Sequence, residues 1–218
     1  MLTVGLTGNI GAGKSTVAEL LVAHGAHLVD ADKVSREVVE PGAPAHQALV
    51  DRFGTGILDA DGRIDRPKLA ELAFADASTV ADLNAIVHPA VGVAMIEGKD
   101  AWKGTDDIVV MDIPLLKDFH RELLALDAVI VVDVSPEVRM ERLVGQRGMS
   151  EDDVRARMAA QPSREERLEG ADYVIDNSGD AAHLAREVDR VWAGLVALPQ
   201  RDPVADGAGP VAGGPAAG

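Results

Sequence analysis

An apolar run, Leu2 to Leu6, leads into Gly8-Asn9-Ile10-Gly11-Ala12-Gly13-Lys14-Ser15 and then into the helical spacing Val17, Leu20, Leu21. The octet fits G-x-x-x-x-G-K-[ST] in the strand-then-helix context that gives that pattern its meaning, a phosphate-binding P-loop. Its glycines let successive backbone N–H groups turn inward around phosphate oxygens. Lys14 supplies a point charge to β- and γ-phosphates, and the Ser15 hydroxyl can bind Mg²⁺. The N-terminus of the following helix adds its partial positive charge to the same cradle.

Further apolar, β-branched runs at Ala26 to Val29, Ile108 to Met111, Ala128 to Val132 and Tyr173 to Ile175 alternate with helix-like segments. Short continuous runs of this kind suit a parallel sheet buried on both faces, with ligands gathered beyond the carboxyl ends of its strands. The polar residues at those ends are the P-loop, Asp30 with Asp32, Asp112, Asp133, and Asp176 with Asn177. Pro44 to Gly98 carries helical spacing without a convincing strand and reads as a helical insertion. His88-Pro89 within it biases His88 to extended geometry and predicts a break in the surrounding helix. Arg142 to Arg167 is dense in Arg, Glu and Asp and reads as a solvated, mobile helical hairpin, a candidate lid.

The expected organisation is one unit over 1–198. Its core spans about 1–43, 105–141 and 171–198, the insertion about 44–100 and the lid about 142–170. Residues 199–218, mostly Gly, Pro and Ala without periodicity, read as a disordered tail.

Composition narrows the partners. The formal charge of -15, from 36 acidic and 21 basic residues, opposes non-specific binding to nucleic acid or anionic membrane. Aromatic residues make up only 3% of the chain, so stacking platforms for bases are not expected. With no cysteine, disulfides, thiolate metal sites and thiol catalysis are excluded. Met1 begins no signal-like segment, and no stretch approaches the about 18 apolar residues that span a bilayer. The expectation is a cytoplasmic protein.

A P-loop alone does not separate a kinase from a switch or a motor, so the group that handles an acceptor must be sought. Asp30 and Asp32, just past the second strand, are expected to lie next to the P-loop, where one carboxylate accepts the proton of an attacking hydroxyl. Asp32 is the choice, being further from the strand, while helix capping before Val34 is open to either aspartate. Arg36, one turn beyond Asp32, is a candidate partner for a substrate phosphate. Asp112 either helps hold Mg²⁺ through water or merely ends its strand.

These residues resemble one family, the dephospho-CoA kinases. The likeness runs through Gly5 to Ser15 and Asp30-Ala31-Asp32-Lys33-Val34-Ser35-Arg36-Glu37, then Glu40-Pro41-Gly42, Phe53-Gly54 and Asp61 to Arg66. It continues through His88-Pro89, Asp112-Ile113-Pro114-Leu115-Leu116, Gln161, and Ala171 to Asn177. The resemblance implies a P-loop kinase-like α/β fold, three-layer α/β/α, with a five-stranded parallel sheet, a helical substrate-binding insertion and a helical lid. It also implies ATP-dependent phosphorylation of the ribose 3'-hydroxyl of dephospho-CoA, the last step of coenzyme A synthesis, with ATP and Mg²⁺.

Carried across, Asp32 is the base, Lys14 and Arg142 are catalytic, and Thr7, Arg36, His88, Pro114, Leu115 and Leu116 join Asp32 in binding the acceptor. ATP falls to Gly8 through Ser15, Thr16, the lid arginines Arg142 and Arg147, and Asn177 near the adenine. Arg142 is favoured over Arg147 as the transition-state arginine, with Arg139, Arg155 and Arg157 behind. The partner is a small molecule, and the protein a monomer or weak homo-oligomer. Three positions depart from the family pattern: Gly92 where an arginine often follows His-Pro, and Lys117 and Asp118 in place of an aromatic and a Glu. The competing readings are another small-molecule P-loop kinase, of nucleoside, shikimate or gluconate type, and a nucleotide-binding switch. A switch would normally carry an Asn-Lys-x-Asp segment, and none occurs.

Overall fold

A computed structural model describes residues 1–199, so the expected tail lies, from residue 200 onward, outside the described residues. The elements run β1 (Leu2–Gly8), α1 (Lys14–Ala23), β2 (His27–Asp30), α2 (Ala31–Glu37), α3 (Pro44–Phe53), α4 (Arg66–Ala73) and α5 (Ala77–Asp100). They continue with β3 (Ile108–Asp112), α6 (Asp118–Leu123), β4 (Ala128–Asp133), α7 (Pro136–Gly145), α8 (Glu151–Ala159), α9 (Arg164–Glu169), β5 (Tyr173–Asp176) and α10 (Ala181–Val196). A single 3₁₀ turn, Thr55–Ile57, lies between α3 and α4.

The five strands form one parallel sheet in the order β2-β3-β1-β4-β5. All seven residues of β1 are buried, as expected for the central strand of a sheet covered on both faces. Side chains alternate between two cores. Val4 and Leu6 join Val17 and Leu21 of α1 and Val188, Val191 and Leu195 of α10 on one face. Val109, Met111, Val129 and Val131 meet Met95 of α5, with Leu124 and Leu126, on the other. The result is the expected α/β/α layering. A third cluster, Val38, Val39, Ala45, Leu49 and Ile57, belongs to the helical insertion.

Three expectations need correction. Strand β2 does not lie next to the P-loop strand, because β3 returns from the long helical excursion into the place between them. Asp112, opposite both Leu6 and Asp30 in the register, is therefore the carboxylate nearest the loop. Helix α5 is not broken at His88-Pro89; it runs 24 residues with Pro89 inside. Asp76 and Thr79 start it with a reciprocal capping box. Packing of Leu83, Ile86 and Val87 before the proline, and of Val91 and Ala94 after it, offsets the one backbone bond that proline removes. Finally, α5 is by length and composition apolar enough to cross a membrane, with a mean hydropathy of 1.4 over its best window. In this fold it packs instead against α2, α3, α4, β2 and β3.

The interruption of α5 is testable. Replacing exposed Pro89 by Ala restores a donor to the helix, and Pro89→Ala is expected to raise stability to urea by about 1–3 kcal/mol. An unchanged or lowered midpoint contradicts this account of the helix.

Candidate active site

Gly13 caps α1 in the left-handed region, φ 85°, and offers no side-chain cap, so the first amides of α1 are open to an anion. A Cβ at Gly13 would sit 2.2 Å from the Asn177 amide nitrogen. That nitrogen donates to Ala12 O at 2.7 Å. Asn177 is buried and braces the loop from behind; its amide is engaged there rather than held open for a base. Arg142 donates through Nη2 to Asn177 O at 2.8 Å and belongs to the same brace. Ser15 and Thr16 are exposed at the loop's helical end. From the turn between α8 and α9, Gln161 Oε1 accepts the N–H of Ile10 at 3.1 Å, so this segment touches the loop directly.

Lys14 forms an ion pair with Asp112. Asp112 is 4% exposed, and burial pushes its carboxyl above the usual range. The hydrogen bond and charge of Lys14 oppose that rise, and the charges of Asp30 and Asp32 add to it. The sheet thus gathers three carboxylates and one lysine at the carboxyl ends of β1, β2 and β3. This loop with its open amides, Lys14 and the Ser15 hydroxyl fits a triphosphate with its metal.

The two aspartates after β2 separate cleanly. Asp30 caps α2, its Oδ1 accepting from Asp32 N at 2.8 Å and Lys33 N at 3.1 Å. The Asp32 carboxylate accepts no hydrogen bond among the described residues, and only its backbone N–H and oxygen are engaged. Asp32 lines a cavity of about 430 Å³ together with His88, Gly92, Pro114, Leu115 and Lys117. A Cβ at Gly92 would meet nothing within 4 Å, so this departure leaves open space. His120 lines the same cavity. Burial holds its imidazole below the usual histidine range, with the charges of Lys117 and His88 adding to the effect against the hydrogen bond from Lys117 N.

Other expected acceptor residues lie apart. Arg36 turns back, its Nε donating to Asp32 O at 2.8 Å, and does not line the cavity. Leu116 packs on Gly5, where a Cβ would come within 2.7 Å of it. It borders a smaller cavity of about 150 Å³ with Thr7, Asp118 and Arg167. Thr7 Oγ1 donates to Pro114 O at 3.1 Å and accepts from Arg167 Nη1 at 3.0 Å, so it links the loop strand to both acceptor segment and lid.

The arginines differ most from expectation. Arg147 is exposed and makes no hydrogen bond or ion pair among the described residues. Arg139, ranked behind it, is buried, and Arg167, not singled out from sequence, is partly buried against Thr7. A signal existed. Arg139 and Leu143 stand four apart on one face of α7, and Leu143 packs within 3.1 Å of a Cβ at Gly11. Arg167 precedes Leu168, which joins the core beneath α5 and α6.

A P-loop on the central strand of a parallel sheet, a helical segment walling a cavity beside it, and arginine-bearing helices over the loop are the features of the small-molecule P-loop kinases. The solved structures agree on that fold. One from Thermus thermophilus is 33% identical, with a TM-score of 0.70, covering 89% of this chain and 97% of its own. The dephospho-CoA kinase from Campylobacter jejuni is 24% identical with a TM-score of 0.64, covering 88% and 96%. Within that class, the family model for dephospho-CoA kinase matches residues 2–183. The dephospho-CoA kinase of Streptomyces avermitilis is 54% identical over 196 residues, 90% of this chain and 95% of the relative. The chain belongs to the dephospho-CoA kinase family.

The division between the two aspartates predicts opposite effects. Asp30→Ala removes a cap and should cost about 1 kcal/mol in urea unfolding, whereas Asp32→Ala should leave stability within about 0.5 kcal/mol of wild type. Equal losses, or the reverse order, would contradict the roles given to them.

Proposed function

We propose that the chain transfers the terminal phosphoryl group of ATP to the ribose 3'-hydroxyl of dephospho-CoA, giving coenzyme A and ADP, with Asp32 as general base. The observation that carries the assignment of Asp32 is its unengaged carboxylate on the wall of the acceptor cavity. Its neighbour Asp30 is held in a cap and Asp112 is held by Lys14. Asp32 accepts the hydroxyl proton as the oxygen attacks phosphorus.

When bound, ATP supplies the phosphoryl group and Mg²⁺ the charge that offsets it, with the Ser15 hydroxyl and, through water, Asp112 as the residues that would hold the metal. Lys14 would then trade its pairing with Asp112 for phosphate oxygens, and the Asp112 carboxylate so released would be available to hold the metal through water. Gly8 through Gly13 present backbone donors, Thr16 and Arg142 support the loop, and Asn177 keeps it in shape. His88, Pro114 and Leu115 hold the acceptor beside Asp32, Thr7 fixes the Pro114 segment, and Arg36 and Leu116 act at its margins. Residues 44–100 serve as the acceptor-binding insertion, and 142–170, including Arg147, as the lid that excludes water. The strongly acidic charge supports an enzyme that uses neither nucleic acid nor anionic membrane, and the reading includes a cytoplasmic location and a monomer or weak homo-oligomer.

Coupled ADP release tests the reading. Dephospho-CoA should stimulate it, while adenosine, shikimate, gluconate and coenzyme A should not, and Lys14→Ala should lower the stimulated rate about 100-fold or more without unfolding the protein. No stimulation by dephospho-CoA in a preparation that binds ATP would overturn it.

A further inference from the structure

Two arginines near the P-loop, one buried and one partly buried, keep buried guanidinium nitrogens without a partner among the described residues. Arg139 is 7% exposed, and its Nε and Nη1 have no hydrogen-bond partner among the described residues. Arg167 is in the same condition at Nε and Nη2, while its Nη1 donates to Thr7 Oγ1. Thr7 directly precedes Gly8, the first residue of the loop. Burial lowers the proton affinity of both guanidiniums, and the charge of Arg139 lowers that of Arg167 further, so the two lie within each other's field.

The nearby carboxylates do not neutralise them. Asp133, whose charge Arg139 feels, is held by Arg164, with Nε at 2.8 Å and Nη2 at 2.6 Å from Oδ2. Glu166, next to Arg167, accepts the Ser163 N–H at 2.8 Å in the cap of α9. Buried donors on buried cations, left without acceptors, are strongly unfavourable. A fold that keeps two of them together at one place is arranged for an anion that arrives from outside.

The surroundings indicate which anion. Arg164 fixes α9 to the end of β4, Gln161 fixes the preceding turn to Ile10 N of the loop, and Arg167 reaches the end of β1. These contacts bring the Arg167 donors to the same strand ends as the phosphate cradle, and Arg139, whose charge Arg167 feels, comes to the same region from α7, its backbone oxygen 3.5 Å from a Cβ at Gly11. Arg142, by contrast, gives one of its donors to the backbone of Asn177, and Arg147 faces solvent.

Building on the proposed function, we propose that Arg139 and Arg167 form a paired-guanidinium clamp on the terminal phosphoryl oxygens of the bound triphosphate, making them the catalytic arginines ahead of Arg142 and Arg147. In the step they serve, the bond from phosphorus to the acceptor oxygen forms, the bond to the ADP oxygen breaks, and the proton goes to Asp32. The two arginines neither give nor take a proton. They hold the oxygens on which charge is spread during transfer. Because both are already buried, little reorganisation is required when the anion enters.

Methionine keeps the length of the arginine stem without its charge, so the test uses Arg139→Met and Arg167→Met, with exposed Arg186→Gln on α10 as a control. Thermal unfolding is followed with and without inorganic tripolyphosphate, alongside steady-state kinetics. Each Met variant should melt, without ligand, no lower than wild type, because a buried unpaired charge has gone. Each should lose most of the tripolyphosphate-induced rise in Tm and have kcat lowered about 100-fold or more, with KM for dephospho-CoA little changed. Arg139→Lys and Arg167→Lys keep the charge without the fork and should recover part of both losses, which guards against a variant that fails by misfolding. Met variants that keep the wild-type tripolyphosphate shift and kcat overturn the clamp. Should wild type ignore dephospho-CoA yet show a tripolyphosphate shift that depends on both arginines, the clamp stands and the acceptor assignment falls.

Discussion

Strand β1 has no exposed face: its seven residues are buried between β3 and β4 and between two helical layers. Its carboxyl end therefore cannot move relative to its neighbours without disturbing both cores. The P-loop leaves from that end, and Asn177, arriving from the end of β5, holds Ala12 O and fills the space in which any side chain at Gly13 would stand. A loop of backbone donors is useful only if its curvature is fixed before phosphate arrives, and here the sheet and one buried amide fix it.

From this follows the distribution of charge. Three carboxylates gather at the ends of β2 and β3, one of them paired with Lys14, and they differ in what each already holds. Asp30 is tied to backbone N–H groups, Asp112 to Lys14, and Asp32 to nothing among the described residues. On the other side of β1, Arg164 holds Asp133, whose charge Arg139 also feels, while Arg167 donates to the neutral Thr7 hydroxyl. On the proposed function, a triphosphate between these sides would meet arginine from one direction and the Asp32 carboxylate from the other, the polarity an in-line transfer to a hydroxyl requires.

Much of this was legible in the chain itself. The P-loop, the five apolar runs and the polar residues at their ends follow from short-range chemistry, and the structure keeps them within a residue or two. The choice between Asp30 and Asp32 was not fixed by spacing alone, since both cap and base use the same residue type two positions apart. Strand order was hidden because it depends on where a 24-residue helix returns the chain. The continuity of α5 through Pro89 was missed because proline's local cost is visible in sequence while the packing that offsets it is not. Local sequence does little to single out Arg139 and Arg167, because arginine on a charged helix ordinarily faces water, and only tertiary packing shows these two turned inward.

The central claim is that Asp32 acts on the acceptor and not on the fold or on nucleotide binding. Single-turnover transfer by Asp32→Asn, with ATP and dephospho-CoA binding measured in parallel by calorimetry, tests it most directly. The account predicts that both ligands bind with affinities close to wild type while the rate of phosphoryl transfer falls about 100-fold or more. Transfer at the wild-type rate with both ligands bound would contradict it.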